Sequence, residues 1–140
     1  MHVQLVLIAV FIQVALTFAL MFMMMRARMS VLRDGSVHPR DVALGQPAWP
    51  ENATKYANAF RNQFELPVLF YVLCILAIIT RQADNLFVIL AFIFVAARLV
   101  QAFIFVTYNR LIHRGGAYLI GAIVLVIMWV LFAVDVIFGL

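Results

Sequence analysis

The stretch NATKYANAFRNQFELPVLFY, residues 52–71, begins polar and ends apolar, and the reading of the whole chain turns on it. At 3.6 residues per turn, Asn58, Asn62 and Glu65 fall at i, i+4 and i+7 and share one helix face. Arg61 stands four residues before Glu65, the spacing of an intrahelical ion pair. The apolar run that follows continues to Ile79, so this polar face enters a membrane-spanning helix. Ionisable groups at that depth are costly, and they mark either a functional site or a buried structural pair.

The composition around this stretch requires a membrane. The 140 residues are 67% hydrophobic and 11% charged, whereas soluble domains are about half apolar and about a quarter charged. A transmembrane helix takes about 20 apolar residues. Four such helices and their loops use up the chain as one domain, with nothing left for a soluble one. The expected fold is therefore all-α, an integral membrane four-helix up-down bundle. The net charge of +4 sits in the loops and is a topology signal, not a nucleic-acid surface. Cys74, alone in an apolar run, reads as a packing residue. The first apolar run is longer than a signal-peptide core and ends in methionines, not at a small-residue cleavage site, so it reads as a retained helix.

Taken in order, helix 1 is expected over about 3–25, with Gln13 and Thr17 on one face for interhelical hydrogen bonding. Arg26, Arg28, Arg33 and Arg40 follow, among the loop signals Asp34-Gly35, His38-Pro39, Gly45, Pro47 and Pro50. Arg26 and Arg28 read as interfacial anchors; a second reading has one of them holding an anionic ligand. Helix 2 is expected over 51–79, with Pro50-Glu51 suiting its N-terminus. Pro67 should kink it, leave the Gln63 carbonyl without its partner and open a groove. After the link TRQADN, helix 3 is expected over 86–112 with Arg98 near its middle. Gln101, Phe105 and Ile112 lie on roughly the face of Arg98. Asn109, Arg110, His113 and Arg114 follow, and Gly115-Gly116 read as the break before helix 4 at 117–138. Asp135 then falls at the opposite interface, with Trp129 deeper. Loops 1 and 3 carry nearly all the Lys and Arg, so the positive-inside rule places them in the cytoplasm and both termini on the other side.

Arg98 and Glu65 are the two charges set deepest in apolar sequence. Each in isolation costs at least about 2.5–3.5 kcal/mol to insert, so they are expected within one polar cluster. Such a cluster can serve only to lock helix register. Asn58, Arg61, Asn62 and Gln101 add more polar groups than one ion pair needs, and donors around one carboxylate suit a zwitterionic or peptide-like ligand. His2, His38 and His113 fall in loops or at ends, which argues against haem. No Cys/His spacing suggests a metal, and no glycine-rich phosphate loop occurs. Small four-helix drug exporters place an acid in the first helix, which has none here.

The N-x-x-E-x-P run at Asn62, Glu65 and Pro67, on a second helix after a basic loop, resembles the MAPEG family, membrane-associated proteins in eicosanoid and glutathione metabolism. The run RLVQAFIFVTYNR at 98–110 resembles the third-helix segment of bacterial members. The resemblance implies a bundle assembling as a homotrimer in a bacterial inner membrane, with glutathione as co-substrate held between subunits near the cytoplasmic face. Asn62 and Glu65 would bind it, Glu65 reading its amino group. Arg98 matches a family arginine on helix 3, and Arg26 or Arg28 the arginine ending helix 1. Family enzymes usually have an arginine where Asn58 stands, and often His or Tyr where Gln101 and Phe105 stand. The arginine that stabilises the glutathione thiolate falls at Ile112, flanked by Arg110 and Arg114, the candidates for that catalytic cation. Tyr108 is the nearest phenol. The function implied is a membrane-bound glutathione-dependent transferase or peroxidase for lipophilic electrophiles arriving from the bilayer. The alternative is a non-catalytic trimeric membrane protein binding lipid or a protein partner.

Overall fold

A computed structural model describes residues 2–45 and 49–139; Pro47, among the loop signals, lies outside them. The elements are α1 (Val3–Arg33), the short α2 (Pro39–Val42), α3 (Glu51–Arg61), a 3-10 turn (Asn62–Phe64), α4 (Leu66–Ile79), α5 (Asn85–Val106) and α6 (Leu111–Phe138). There is no strand among the described residues. Counting α3 and α4 with the turn between them as one span, four helical segments are long and apolar enough to cross a membrane. The protein is an all-α, multi-pass integral membrane bundle. The helix pair α5–α6 and the pair α1–α3 make the most extensive contacts, and α1 and α3 also pack on α5.

Helix 1 runs on to Arg33, well past the expected end near residue 25. The sequence MMMRARMSVLR holds no helix breaker, and leaving the bilayer does not by itself end a helix. It stops where Gly35 takes a positive φ of 83°, the left-handed conformation glycine adopts without penalty. Arg26 and Arg28 are thus helical. The following loop holds one extra helical turn, α2, with Pro39 at its first position.

The second span is broken rather than kinked. Pro67, in the first turn of α4, cannot donate to Gln63 and disfavours helical backbone at the residue before it. The helix tightens into the 3-10 turn at Asn62–Phe64, leaves helical geometry at Glu65 (φ −97°, ψ −106°) and restarts at Leu66. The expected ion pair between Arg61 and Glu65 is absent, because their regular spacing does not survive the break.

The third span ends at Val106, not near Ile112. Thr107 returns its hydroxyl to the Phe103 carbonyl at 2.6 Å. Asn109 takes a positive φ of 47° and donates its amide to the Ile104 carbonyl at 2.7 Å, the long-range bond that closes many helix C-termini. Asparagine tolerates that conformation better than most residues. α6 then starts at Leu111, so Gly115-Gly116 lie inside it instead of preceding it. Ile112 belongs to its first turn, is exposed and does not continue the face of Arg98.

Two apolar clusters fill the bundle. One gathers Val6 and Ala9 of α1, Phe70, Leu73 and Ala77 of α4, Ala91, Phe94 and Val95 of α5, and Leu125 and Met128 of α6. Phe70 and Phe94 stack within it at 4.6 Å. The other gathers Leu20, Ala59, Ala102 and Phe105. Between them along each helix lie Gln13, Asn62, Gln63, Arg98 and Gln101, the buried polar side chains among the described residues, none more than 6% exposed. Gln13 Nε2 donates to Gln63 Oε1 at 2.8 Å, and Gln63 Nε2 donates to the Ala59 carbonyl at 3.0 Å. The interhelical role expected for Gln13 is thereby filled, with Gln63 as its partner. Thr17 bonds within its own helix, to the Gln13 carbonyl.

Two outcomes follow for thermal unfolding in detergent. Gln13→Leu strands the Gln63 oxygen and should cost about 1–3 kcal/mol, whereas Gln13→Leu with Gln63→Leu should cost less than the sum of the single changes. At Gly121 a Cβ would meet Ala97, Phe94 and Arg98 at 3.7–3.9 Å, ordinary contact distances. Gly121→Ala should therefore melt close to the parent, while Gly121→Leu should lose about 1–3 kcal/mol by overpacking the α5–α6 seam.

Candidate functional site

The break in the second span sets the geometry of the site. With Leu66 beginning a new helix, the Asn62 carbonyl has lost its regular helical donor. It accepts instead from the Glu65 amide at 3.3 Å and from Arg98 Nη2 at 3.0 Å. Arg98 reaches it from the middle of α5 and is 1% exposed. Its Nε and Nη1 have no hydrogen-bond partner.

Arg98 and Glu65, expected within one polar cluster, do not meet as an ion pair. Glu65 is exposed, and it makes no ion pair with Arg98, whose guanidinium is taken by a backbone carbonyl. A cation beside a carbonyl freed by a helix break is held by a charge–dipole contact, which is stronger in a low-dielectric interior than at a surface.

Beside this break opens a pocket of about 270 Å³ between α3, α5 and α6. Asn58, Arg61, Asn62 and Glu65 line one wall, Gln101 and Phe105 another, and Leu111, Arg114, Gly115 and Tyr118 the third. Six of the candidate site residues named from the sequence, Asn58, Arg61, Asn62, Glu65, Gln101 and Arg114, thus meet around one cavity. Asn58, Asn62 and Glu65 keep a common face even though the helix between them is interrupted. Gln101 is 3% exposed, and its Oε1 has no hydrogen-bond partner. Arg114 is fixed at both ends of its guanidinium. Nη1 donates to Asn109 Oδ1 at 2.8 Å, and the group lies over the Phe105 ring at 4.4 Å. The residue that ends α5 therefore also positions the cation of α6.

The remaining candidates fall elsewhere. Arg110 is the exposed residue preceding α6 and does not line the pocket, so of the two candidate catalytic cations only Arg114 lies there. Tyr108 is exposed and pairs through its hydroxyl with His113 Nδ1 at 2.9 Å. Arg28 stacks over Trp49 at 4.9 Å. It shares a second hollow, of about 250 Å³, with Phe60, Arg61 and Phe64. Arg61 lines both hollows, which makes Arg28 the helix-1 arginine nearer the site. Arg26 turns to a different cleft, between α1 and α3.

Leu111 and Tyr118 are the pocket residues that sequence reasoning passed over, and Tyr118 is the polar one. It lies one turn beyond Arg114, a spacing that becomes visible once α6 is known to start at Leu111. With the helix start placed after Gly116, the pair reads as a loop residue and an unrelated helical one.

The MAPEG family model matches residues 6–134, nearly the whole chain. No curated protein and no solved structure matches it.

If Arg98 holds the break in place, then Arg98→Leu should raise amide hydrogen exchange across residues 61–68 while the centre of α5 stays protected. Unchanged exchange in that segment would show that the turn stands without the guanidinium.

Proposed function

Because this chain belongs to the MAPEG family, we propose that it is a membrane-bound glutathione-dependent transferase or peroxidase acting on lipophilic electrophiles. The pocket between α3, α5 and α6 is taken as the glutathione site. The observation that carries this reading is the make-up of that pocket: one carboxylate, two guanidinium groups and three amides around a single cavity. Glutathione is a zwitterionic peptide with two carboxylates, one ammonium, two amides and a thiol. Glu65 takes its ammonium, Arg61 a carboxylate, and Asn58, Asn62 and Gln101 its amides. The unpartnered oxygen of Gln101, which lines the pocket, is a group that a peptide, or the water around it, satisfies; Arg98 does not line the pocket and acts by holding the Asn62 carbonyl.

Arg114 supplies the chemistry. A thiolate is the nucleophile, and a neighbouring cation lowers the thiol pKa from its usual value of about 8.5. In transfer the thiolate sulfur forms a bond to the electrophilic carbon, the leaving group departs with the bonding pair, and the thiol proton is lost to water. The electrophile enters from the lipid side through the groove that the helix break opens.

A pocket of about 270 Å³ lies just below the usual size range of ligand sites. That is what a site completed by a neighbouring copy presents, and a homotrimer with Arg28 reaching across from the next subunit fits it. In this reading the pocket opens at the cytoplasmic face of a bacterial inner membrane, which the basic loops support through the positive-inside rule. A second reading, a non-catalytic trimeric membrane protein, is favoured by Gln101 and Phe105 standing where family enzymes often carry His or Tyr.

Calorimetry and conjugation of a general electrophile separate these readings. The parent protein should bind glutathione, and Glu65→Gln should weaken binding at least ~10-fold, about 1.4 kcal/mol. Arg114→Leu should bind nearly as well, while the acid limb of its pH–rate profile moves to higher pH. The sign follows because a cation lowers the bound thiol's pKa, so activity rises as pH passes that value, and removing the cation raises it. Absence of glutathione binding at millimolar concentration would select the non-catalytic reading. Crosslinking in native membranes tests the trimer.

A further inference from the structure

We infer that the cleft between α1 and α3 binds the phosphate of an anionic phospholipid, at a site separate from the pocket described above. The cleft measures about 330 Å³ and is lined by Arg26 and Ser30 from α1 and Asn52 and Tyr56 from α3, together with Met23 and smaller apolar side chains. A guanidinium, two hydroxyls and an amide are all donors that suit phosphate oxygens. Among the described residues, no carboxylate lines the cleft. Lys55 Nζ lies over the Tyr56 ring at 5.4 Å, which adds a second positive charge at its edge.

The cleft continues into a groove of about 590 Å³ on the outer side of α1, which shares Arg26 and Ser30 and adds Phe22, Met29 and Arg33. Among the described residues, neither Arg26 nor Arg33 has a hydrogen-bond or ion-pair partner for its side chain. Asp34 touches the far end of the groove, but its Oδ1 accepts from the Ser36 amide at 2.8 Å. Ser36 holds that carboxyl below the usual carboxylate range, chiefly through a side-chain hydrogen bond and then through its backbone.

The position of the cleft decides between a lipid and a soluble phosphate. Arg26 directly follows the apolar run of the first span, the level at which headgroups lie and where basic clefts between helices hold them. Below it, Phe11, Phe18, Phe22 and Met25 form one exposed stripe, at 62, 60, 65 and 53%. Their spacings of seven, four and three keep them on one face. From Phe11 to Met25 the stripe runs roughly 21 Å at 1.5 Å per residue, deeper than one leaflet of a core about 30 Å thick. An acyl chain attached to a phosphate at Arg26 therefore has side chains to lie against along its whole length.

The test uses the full-length protein in detergent, supplemented with phosphatidylglycerol or phosphatidylcholine at equal mole fraction, with bound lipid counted by native mass spectrometry. The parent should retain phosphatidylglycerol over phosphatidylcholine by a factor on the order of five, as expected for one interfacial arginine. Arg26→Gln should abolish the preference, Arg26→Lys should keep most of it, Tyr56→Phe should reduce it, and Arg40→Gln, outside the cleft, should leave it unchanged. Equal retention of the two lipids, or a preference that survives both Arg26→Gln and Tyr56→Phe, overturns the proposal. Displacement of the bound lipid by millimolar inorganic phosphate also overturns it, since the cleft would then be a soluble-phosphate site.

Discussion

A buried guanidinium pointed at an interrupted helix is the constraint around which this bundle is arranged. Arg98 cannot face lipid, and among the described residues no acid forms an ion pair with it. What it meets is the carbonyl of Asn62, exposed because the second span gives up its regular hydrogen bonding just before Pro67. Each defect answers the other: the cation needs an acceptor, and the broken helix needs a donor. Neither is stable alone in hydrocarbon, where unsatisfied backbone costs several kcal/mol. Gln13 and Gln63 complete the layer by tying α1 to the same turn.

That layer lies between two apolar clusters, which fixes its depth along the helices, and it keeps unpartnered polar atoms on Gln13, Arg98 and Gln101. The pocket follows from it. The break holds Asn62 and Glu65 at one wall, while the left-handed Asn109 ends α5 early enough for α6 to bring Arg114 and Tyr118 to the opposite wall. The two irregular points of the chain, at Glu65 and at Thr107–Asn109, are what converge the polar side chains. This is where non-helical backbone is tolerated at membrane depth, beside a cavity and not against lipid.

The two arginines that close the first span divide along the same logic. They are two residues apart, so they diverge by about 160° around the helix. Arg28 turns towards Trp49 and Arg61, beside the pocket, and Arg26 towards a cleft that faces the headgroup level. Their adjacency in sequence hides a difference of partner that only the packing of α3 against α1 exposes.

The sequence by itself determined the membrane class, the four spans, the polar face of Asn58, Asn62 and Glu65, and the buried setting of Arg98 and Gln101. Composition and helical periodicity act locally, and a bilayer leaves the chain few alternatives. Helix ends and contact partners were decided by the tertiary structure. Gly115-Gly116 carry the strongest local stop signal after α5, yet the helix passes through them, because Asn109 had already closed the preceding turn. Glu65 and Arg98 have opposite charges and suitable depth, yet Arg98 bonds a carbonyl. The donor that a broken helix requires depends on which side chain the neighbouring helix delivers there, and that distance is set by packing rather than by position along the chain.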